Sequence, residues 1–366
     1  MTTDETPSSH KRRPRYRGTH PRNFNEKYKE HDPEKYAEDV RHIISRGQTP
    51  AGMHRPICVD EIITVLQPKP GDVMFDATLG YGGHSRELLS RILPGGKLYA
   101  VDVDPIELAK TEQRLRGEGY GADALVIRKM NFAGIAQLLP ETPHGFNGIC
   151  ADLGVSSMQH DNPERGFSYK VDGPLDLRLN PNKARPASLL LRSLSVQELA
   201  ALLAENADEP HAELIAKTIC AAPVAITTTK ALADAVKTAL AGLPLQQTKL
   251  AEEVKKSCQR IFMALRIAVN DEFGALDRFL DVVPSCMKPG ALIAILTFHS
   301  GEDRRVKKAF QSGLRNGIYR AVAPTPLRPS PQEQRDNPRS SSAKLRWAER
   351  SDEKKGTGAF FFENEL

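Results

Sequence analysis

Three polar segments of this sequence carry side chains that can bind a nucleotide or move a proton. They are Asp76–Ser85, Asp152–Ser157 and Phe298–Arg304, and each follows a short apolar run. Apolar runs of that length are typical of buried strands. Because the carboxyl ends of parallel strands share one edge of a sheet, we expect the three segments to meet at one site.

The first segment has the composition of a loop that holds a cofactor. Gly80, Gly82 and Gly83 precede a predicted helix, so backbone can approach a ligand closely near the helix's unpaired N–H groups. Asp102 ends the next predicted strand. A carboxylate there can accept hydrogen bonds from both hydroxyls of a ribose.

Two nucleotide cofactors fit this arrangement. A dinucleotide is usually bound by G-x-G-x-x-G, but Ser85 stands where the third glycine would be. S-adenosylmethionine has no pyrophosphate, and it needs an acid for its ribose and a polar cradle for its amino-acid end. Asp76, residues 80–84 and Asp102 therefore favour S-adenosylmethionine, and Phe132 can stack on its adenine. The dinucleotide remains the alternative.

Alternating strand-like and helix-like segments predict the scaffold that carries these loops. This order indicates a parallel sheet covered by helices on both faces. The predicted strands are Val73–Asp76, Lys97–Val101, Ala124–Ile127, Gly148–Leu153 and Ala291–Phe298, with helices at Ser85–Leu93 and Pro105–Arg116. Ala343–Trp347 and Gly358–Phe362 are expected to form a final antiparallel pair.

A helical region interrupts this alternation. Residues 154–182 form a long polar segment, and residues 187–250 show helical periodicity without a strand. Ser195 and Glu198 have the spacing of a capping box. We therefore expect a small all-α domain inserted into the α/β sheet domain.

Two further helices are predicted. Thr229 is expected to cap a helix at Ala231–Leu240, and a long helix from Cys258 to about Leu280 presents one buried face.

The predicted boundaries divide the chain into four regions. The regions are a basic, flexible N-terminal extension (1–50), the first part of the sheet domain (51–160), the substrate-contacting loop with the helical insert (161–255), and the second part of the sheet domain with a proline-rich loop at 323–341 (256–366).

The composition limits the classes of protein to which the chain can belong. Its 366 residues, 40% of them hydrophobic, can form one large domain or a core domain with a smaller one. No apolar run reaches the ~18–20 residues that span a bilayer, and the polar, basic N-terminus does not resemble a secretory signal. The five cysteines are scattered without a CxxC pair, so we expect reduced thiols in the cytoplasm, no metal site and no membrane partner.

These segments together resemble the ribosomal small-subunit RNA (cytosine-N4) methyltransferases, the MraW or RsmH family. The resemblance covers about residues 54–350 and is most specific between Asp152 and Arg178. The matching segments are His54–Pro56, Asp60–Glu61, Asp76–Ser85, Asp102–Pro105, Asp152–Ser157, Gln159, Asp161, Arg165–Ser168, Asp172–Asp176, Ala264–Ile267, Val269–Asn270, Phe298–Ser300 and Glu302–Arg304.

The resemblance implies a class I, Rossmann-like, S-adenosylmethionine-dependent methyltransferase with an inserted helical domain. The residues it places around the cofactor are Gly82, Gly83, His84, Asp102, Phe132, Asp152 and Gln159. The implied substrate is a cytosine in the decoding region of 16S rRNA, in the small ribosomal subunit. Gly301 stands where the family usually has leucine, and the segment before Arg260 lacks the common His-Pro-Ala-Thr signature, which leaves substrate-side details open.

Methylation of an exocyclic amine needs alignment of the reacting atoms and an acceptor for the amine protons. The Pro-Pro motif of many amine methyltransferases is absent after the fourth strand. The candidate acceptors are Asp152, Ser156, Ser157, Asp172 and Asp176, with His299 as a further candidate base. Asp152 is favoured because it lies near both the cofactor and the amine.

Positively charged residues are expected to contact RNA. Arg165, Arg178, Arg304 and Arg305 are predicted to hold phosphates. In the basic N-terminal extension, interleaved aromatic residues also favour RNA contact. The substrate base must be exposed or flipped out to reach the site.

Three alternatives to this function remain. One is an amine methyltransferase that acts on another RNA or on a DNA base, and another is an NAD-dependent oxidoreductase. The third is a non-catalytic RNA-binding assembly factor that keeps a cofactor site. The sequence leaves the oligomeric state open, a homodimer included.

Overall fold

A seven-stranded sheet forms the centre of the protein. The structure, a computed structural model, describes residues 56–352, so the basic extension and the strand expected at Gly358–Phe362 lie outside the described residues. The strands are β1 (Val73–Asp76), β2 (Lys97–Asp102), β3 (Leu125–Lys129), β4 (Phe146–Asp152), β5 (Met287–Thr297), β6 (Tyr319–Val322) and β7 (Lys344–Arg350).

The strand order is β3-β2-β1-β4-β5-β7-β6. Strands β1 to β5 are parallel, and β7 runs antiparallel between β5 and β6. Asp76 of β1 is in register with Ala100 and Cys150, and Asp152 of β4 is in register with Leu296. The predicted α/β sheet is therefore confirmed, and the three polar segments follow strands that end at one edge.

Both faces of the sheet are buried under helices. Phe75, Ile149 and Ile293 belong to one apolar cluster, whereas Met74 and Cys150, one residue along, belong to another. The pleat of a strand requires this alternation. The covering helices are α1 (Val59–Leu66), α2 (Gly83–Ile92), α3 (Pro105–Gly117), α10 (Glu272–Val282) and α11 (Ser300–Arg315).

The chain between β4 and β5 contains the helical insert. Its helices are α4 (Ser157–Asp161), α5 (Ala187–Ser193), α6 (Val196–Ala207), α7 (Ala212–Cys220), α8 (Thr229–Leu240) and α9 (Gln247–Asn270). Apolar residues of α5 to α9 form a cluster of their own. Ser195 and Glu198 form both hydrogen bonds of the predicted capping box, since the side chain of each accepts the backbone N–H of the other. Thr228, rather than the predicted Thr229, caps α8.

The long helix expected from Cys258 to about Leu280 is two helices, so that expectation was wrong. Asp271 lies between α9 and α10 in the left-handed conformation, with φ of 50°. Leu265 of α9 packs into the helical insert, whereas Leu276 of α10 packs against the sheet. Helix α9 also crosses the expected domain boundary at residue 255. The helical spacing of apolar residues continues through the break, although the residues before and after it pack into different apolar clusters.

The C-terminal part of the sheet differs from the expected strand pair. Strand β7 pairs with β5 and with β6, which the sequence analysis did not identify. The proline-rich segment 323–341 contains one short helix, α12 (Pro331–Asp336). Among the helices of residues 56–352, none combines the length and apolar character needed to cross a membrane.

Candidate active site

A cleft of about 940 Å³ lies between the carboxyl edge of the sheet and the helical insert. The sheet domain lines it with residues from segments 77–84, 102–103, 129–132, 152–157 and 298–302, and the insert side with residues from segments 159–184 and 259–272. The three polar segments singled out in the sequence therefore meet at one cavity. Its volume can hold a cofactor and part of a substrate together.

The glycine-rich loop turns sharply between β1 and α2. Gly80 (φ +47°) and Gly82 (φ +71°) adopt the left-handed conformation, which strains other residues. A Cβ on Gly82 would lie 3.0 Å from Leu115 Cδ1 and 3.1 Å from Thr111 Cγ2. The Thr111 hydroxyl donates to the Gly80 carbonyl at 2.6 Å, which fixes the loop against α3. The loop is therefore a closely packed cradle at the start of α2.

The variant Gly82→Ala should lower the free energy of unfolding by about 2 kcal/mol or more, because it adds crowding to a strained backbone. Gly71→Ala is the matched control, since Gly71 also has positive φ (+89°) but has no atom within 4 Å of its Cβ position. That control should lose only about 1 kcal/mol. Chemical denaturation measures both losses, and equal losses would show that Leu115 and Thr111 do not restrict the loop.

Asp102 ends β2 and lines the cleft. Its carboxylate accepts the N–H of Gly80 at 2.8 Å and the N–H of Asp104 at 2.9 Å. Burial raises the pKa of Asp102 to about 6, although these two hydrogen bonds oppose the rise. The carboxylate therefore holds the loop and also places acceptor atoms at the cleft. Phe132, which follows β3, lines the cleft as well.

Asp76 supports the loop from behind and does not line the cleft. Its oxygens accept the N–H of Thr78 at 3.0 Å and the hydroxyl of Ser85 at 2.6 Å, and the residue is 1% exposed. Burial raises its pKa, and the hydrogen bond from Ser85 opposes that shift. The structure therefore does not support direct cofactor contact by Asp76, because its buried carboxylate lies outside the cleft.

Asp152, with a side chain that is 29% exposed, lies beside the buried His84 on the sheet side of the cleft. His84 Nε2 lies 3.0 Å from the carbonyl oxygen of Ile57, and Nδ1 lies 3.6 Å from Asp152 Oδ2. Asp152 Oδ1 is buried without a hydrogen-bond partner among the described residues. Burial raises the pKa of Asp152 to about 6, and the charge on His84 opposes that rise. Because Asp152 also lines the cleft, it places a carboxylate where a bound molecule can meet it.

A second polar cluster connects the end of β5 with the start of α10. Glu302 accepts the Phe298 N–H at 2.8 Å and lies 3.2 Å from His299 Nε2. Burial alone would raise the pKa of Glu302, but His299 and the Phe298 N–H lower it overall. Side-chain atoms of Glu272, His299 and Glu302 lie within 4.8 Å of one another, close enough to bind a cation. Arg266, however, already forms a bidentate ion pair with Glu272, with distances of 2.8 and 2.9 Å.

Helix α4 places two further candidates at the cleft. The Ser156 hydroxyl accepts the Gln159 N–H at 3.2 Å, and the Gln159 side chain accepts the Ser156 N–H at 2.9 Å. Gln159 also donates to Asp104 at 2.7 Å. Ser156, Ser157 and Gln159 all line the cleft. Because its side chain is held at both ends, Gln159 positions the segment that follows Asp152.

Two of the candidate acceptors lie away from this cleft. Asp172 is exposed and accepts the N–H groups of Gly173 at 3.1 Å and Lys230 at 3.2 Å. These bonds, the one from Lys230 first, hold its pKa below the usual value. Asp176 is bound by the Arg178 guanidinium at 2.7 Å. Neither residue lines the cleft, so the structure does not bring them to Asp152.

Arg165 is buried and cannot reach an RNA phosphate in this arrangement. It forms an ion pair with Asp104 at 2.8 Å and donates to the carbonyls of Arg178 at 3.0 Å and Leu179 at 2.9 Å. It therefore ties the segment before α5 to the end of β2. The sequence analysis missed this role because 61 residues separate Arg165 from Asp104.

The other three arginines proposed to hold phosphates are also paired. Arg178 binds Asp176 at 2.7 Å, and Arg304 binds Asp208 at 3.0 Å on the surface. Arg305 pairs with Asp277 at 3.3 Å, and its guanidinium lies 3.6 Å from the centre of the Phe273 ring. None of the three lines the cleft.

Exposed lysines on the cleft wall were not singled out in the sequence. Lys129, Lys170 and Lys183 line the cleft and are exposed. Within residues 56–352 no ion pair is found for any of them. Only the folded chain places them on one cleft, because Lys129 ends β3, Lys170 lies in the long polar segment and Lys183 follows that segment.

The reversed strand β7 between β5 and β6, together with the glycine cradle and the acid that ends β2, is typical of the class I, Rossmann-like methyltransferases. Comparison with known proteins gives the same class. Residues 51–351 match the MraW methylase family. The chain belongs to this family of methyltransferases.

Relatives are similar over nearly their whole length. "Ribosomal RNA small subunit methyltransferase H 2" of Alkaliphilus metalliredigens is 52% identical over 348 residues, which cover 94% of this chain and 99% of the relative. "Ribosomal RNA small subunit methyltransferase H 1" of Lachnoclostridium phytofermentans is 50% identical over 349 residues, 94% of each chain. A third, "Ribosomal RNA small subunit methyltransferase H 2" of Acholeplasma laidlawii, is 46% identical over 340 residues, 92% of this chain and 97% of the relative.

Proposed function

We propose that this protein transfers a methyl group from S-adenosylmethionine to the exocyclic N4 amine of a cytosine in the decoding region of 16S rRNA. The names of its relatives support ribosomal RNA of the small subunit as the substrate. The observation that carries the proposal is the carboxylate of Asp152, whose side chain is 29% exposed and which lines the cleft beside the glycine cradle. A weakly nucleophilic amine needs such an acceptor.

The residues that line the cleft offer the acceptors and the apolar surface that S-adenosylmethionine requires. Gly80 and Gly83 let the backbone approach the amino-acid end, Asp102 accepts from the ribose hydroxyls, and Phe132 covers the adenine. When bound, the cofactor supplies a methyl group on a positively charged sulfur, which needs no further activation. The residues of the chain then have to orient the amine and remove a proton.

Asp102→Ala should weaken binding of S-adenosylhomocysteine about 100-fold, because two charge-assisted hydrogen bonds to the ribose are lost. Isothermal titration calorimetry measures the affinity. Asp123→Ala is the matched control, since Asp123 is an exposed acid outside the cleft. An unchanged affinity in Asp102→Ala would exclude Asp102 as the ribose acceptor, provided that circular dichroism shows both variants folded.

Asp152 performs the chemical role that the protein itself must supply. The lone pair of cytosine N4 is conjugated with the ring, so the amine is a poor nucleophile. A carboxylate that accepts one of its N–H groups orients the nitrogen and takes the proton that the nitrogen must lose. The Asp152 side chain is partly buried, with 29% exposed, and the lower local dielectric strengthens this hydrogen bond.

The RNA strand enters the cleft past the exposed lysines. The four arginines considered first have side-chain partners, whereas Lys129, Lys170 and Lys183 are exposed and have no ion pair within residues 56–352. Lysine and arginine contacts to phosphate dominate the affinity for RNA and make it dependent on salt. We therefore assign phosphate contacts to these lysines, and we place the reaction in the cytoplasm on the small ribosomal subunit.

The double variant Lys170→Ala/Lys183→Ala should weaken RNA binding at low salt. The slope of the logarithm of the affinity against the logarithm of the salt concentration should fall by about one for each lysine removed. Lys307→Ala is the control, since Lys307 is exposed on α11 outside the cleft. Fluorescence anisotropy with a labelled fragment of 16S rRNA across a salt series gives the slope. An unchanged slope in the double variant would remove both lysines from the RNA path.

Methyl transfer by the purified protein tests the proposed function directly. The protein is incubated with labelled S-adenosylmethionine and either free 16S rRNA or small ribosomal subunits. Nucleoside mass spectrometry then identifies the product and its position. N4-methylcytidine in the decoding region is expected. A methyl group on another base or another RNA would support an amine methyltransferase with a different target, and no transfer to any RNA would contradict the proposal.

A further inference from the structure

Arg266 is a partly buried cation on the insert side of the cleft, and it is held in one orientation. It belongs to α9, lines the cleft and has a side chain that is 15% exposed. Its Nε and Nη2 donate to the two oxygens of Glu272 at 2.8 and 2.9 Å. Because two nitrogens of the planar guanidinium are held, the third nitrogen, Nη1, also has a fixed position.

The Nη1 group of Arg266 is available to a molecule in the cleft. Within residues 56–352 the hydrogen bonds of Arg266 come from Nε and Nη2 alone. Nη1 is not among the polar atoms that are fully buried without a partner, so it keeps some accessible surface. A charged donor in a partly buried site gains most when a ligand supplies the missing acceptor.

The charges around Arg266 connect it with the other side of the cleft. Burial alone would lower the pKa of Arg266, but the negative charges of Glu272 and Glu302 raise it overall. Burial also raises the pKa of Asp152, and the charge of Glu302 adds to that rise. Glu302 belongs to α11, which follows β5, and β5 pairs with the strand that ends in Asp152. Arg266 and Asp152 therefore bring a donor and an acceptor to the surroundings of one carboxylate.

The apolar side chains beside Arg266 favour a nucleobase over a phosphate as its ligand. Phe262 and Met263, one turn earlier on α9, also line the cleft. Tyr169 lines it as well and packs against Phe262, with 5.8 Å between the ring centres. Apolar and aromatic surfaces pack against the faces of bases, whereas a phosphate gains nothing from them.

We propose that Arg266 binds the edge of the substrate base, donating from Nη1 to the ring nitrogen N3 of cytosine while Asp152 accepts from the neighbouring N4 amine. This assignment rests on the proposed function and adds a second contact to it. Enzymes that act on flipped bases read them through hydrogen bonds to this edge. Uracil carries an N–H at position 3 and a carbonyl oxygen at position 4, so both contacts would be lost. Glu272 is the positioning residue that orients the guanidinium.

Conservative substitutions test Arg266 without leaving Glu272 unpaired. In Arg266→Lys the single ammonium group can pair with Glu272 but cannot also reach N3. In Glu272→Gln the guanidinium remains, but the charge that orients it is lost. Arg260→Lys is the matched control, because Arg260 lies on the same helix, pairs with Glu209 and Glu253, and does not line the cleft. Circular dichroism establishes that each variant is folded.

Two fragments of 16S rRNA that differ in one atom group provide the probe. One carries cytidine at the target position, and the other carries 3-deazacytidine, in which a C–H group replaces N3. Fluorescence anisotropy in the presence of S-adenosylhomocysteine measures their affinities. The wild type should prefer cytidine by about 10-fold or more, the size expected for a hydrogen bond to a charged donor. Arg266→Lys should bind the two RNAs equally, Glu272→Gln should show a reduced preference, and Arg260→Lys should match the wild type.

Three results would overturn the inference. One is a wild type that binds both RNAs equally, and another is a full preference for cytidine in Arg266→Lys. The third is an equal loss for both RNAs in Arg266→Lys with the preference retained, which would make Arg266 a phosphate contact. Isothermal titration calorimetry should give the same affinity for S-adenosylhomocysteine in Arg266→Lys and the wild type, and a marked loss would instead make Arg266 a cofactor contact.

Single-turnover methyl transfer to the cytidine RNA separates this inference from the proposed function. If the wild type transfers a methyl group but shows no preference for N3, the inference fails and the proposed function stands. If the wild type transfers no methyl group, the proposed function fails, whereas the affinities for the two RNAs still decide whether Arg266 binds N3.

Discussion

Asp152→Asn should lower the single-turnover rate of methyl transfer to 16S rRNA by about 10²–10⁴-fold at pH 7.5. Asparagine keeps the shape of the side chain and can still orient the amine, but it cannot accept a proton. Since burial raises the pKa of Asp152 to about 6, the wild-type rate should rise as pH increases through 6 and level off above it. The variant should lack this rise. Rapid quenching with labelled S-adenosylmethionine over pH 5–9 measures both effects.

The other candidate acceptors provide the controls for this experiment. Asp172→Asn should keep the wild-type rate, because Asp172 is exposed and lies outside the cleft. Ser156→Ala and Ser157→Ala should reduce the rate less than Asp152→Asn, since a serine hydroxyl does not take up a proton near neutral pH. A wild-type rate in Asp152→Asn would exclude Asp152 as the acceptor, and a large loss in Asp172→Asn would indicate that the polar segment moves into the cleft.

The residues proposed to hold the cofactor could be singled out from the sequence because they lie close together in the chain or end adjacent strands. Gly80, Gly82 and Gly83 lie within four residues, and Asp102 ends the neighbouring strand. The alternation of strand-like and helix-like segments is also a local signal, so the parallel arrangement of β1 to β5 could be predicted from it. Asp76 and Gly82 differ from the prediction because neither lines the cleft. Asp76 holds the loop through Thr78 and Ser85, and Gly82 packs against α3.

The substrate side depends on contacts between residues that are far apart in the chain, and no local pattern indicates such contacts. Leu179 and Asn270 are hydrogen-bonded at 2.7 Å although 91 residues separate them. The break at Asp271 was hidden because the apolar spacing is the same on both sides of it. Strand β6 has only four residues, too few to show a period of two. Pairing partners of individual arginines are equally invisible in the sequence, so their accessibility to phosphate could not be judged.

Arg165→Met should lower the free energy of unfolding by about 3–5 kcal/mol, the largest stability effect that we expect in this chain. The ion pair with Asp104 is buried, and methionine would leave that carboxylate without its charged partner. The carbonyls of Arg178 and Leu179 would also lose their donor. Denaturation followed by circular dichroism should show a melting temperature lower by roughly 10 °C.

A second substitution distinguishes the lost ion pair from lost packing. Asp104 caps α3, and asparagine caps a helix about as well as aspartate, so Asp104→Asn preserves that role while removing the buried charge. The double variant Asp104→Asn/Arg165→Met should therefore recover part of the stability lost in Arg165→Met. Arg304→Met is the surface control and should lose about 1 kcal/mol or less, since its pair with Asp208 is exposed.

The same variants test whether the cofactor and RNA sides of the cleft are coupled. Asp104 donates its N–H to Asp102, and Arg165 ties Asp104 to the segment that carries Lys170 and Lys183. If this buried ion pair holds the RNA-facing wall in place, Arg165→Met should weaken RNA binding more than S-adenosylhomocysteine binding at a temperature where it remains folded. Additive losses in the double variant, with RNA affinity unchanged, would show instead that the wall is held by the contacts of Asn270 with Leu177 and Leu179.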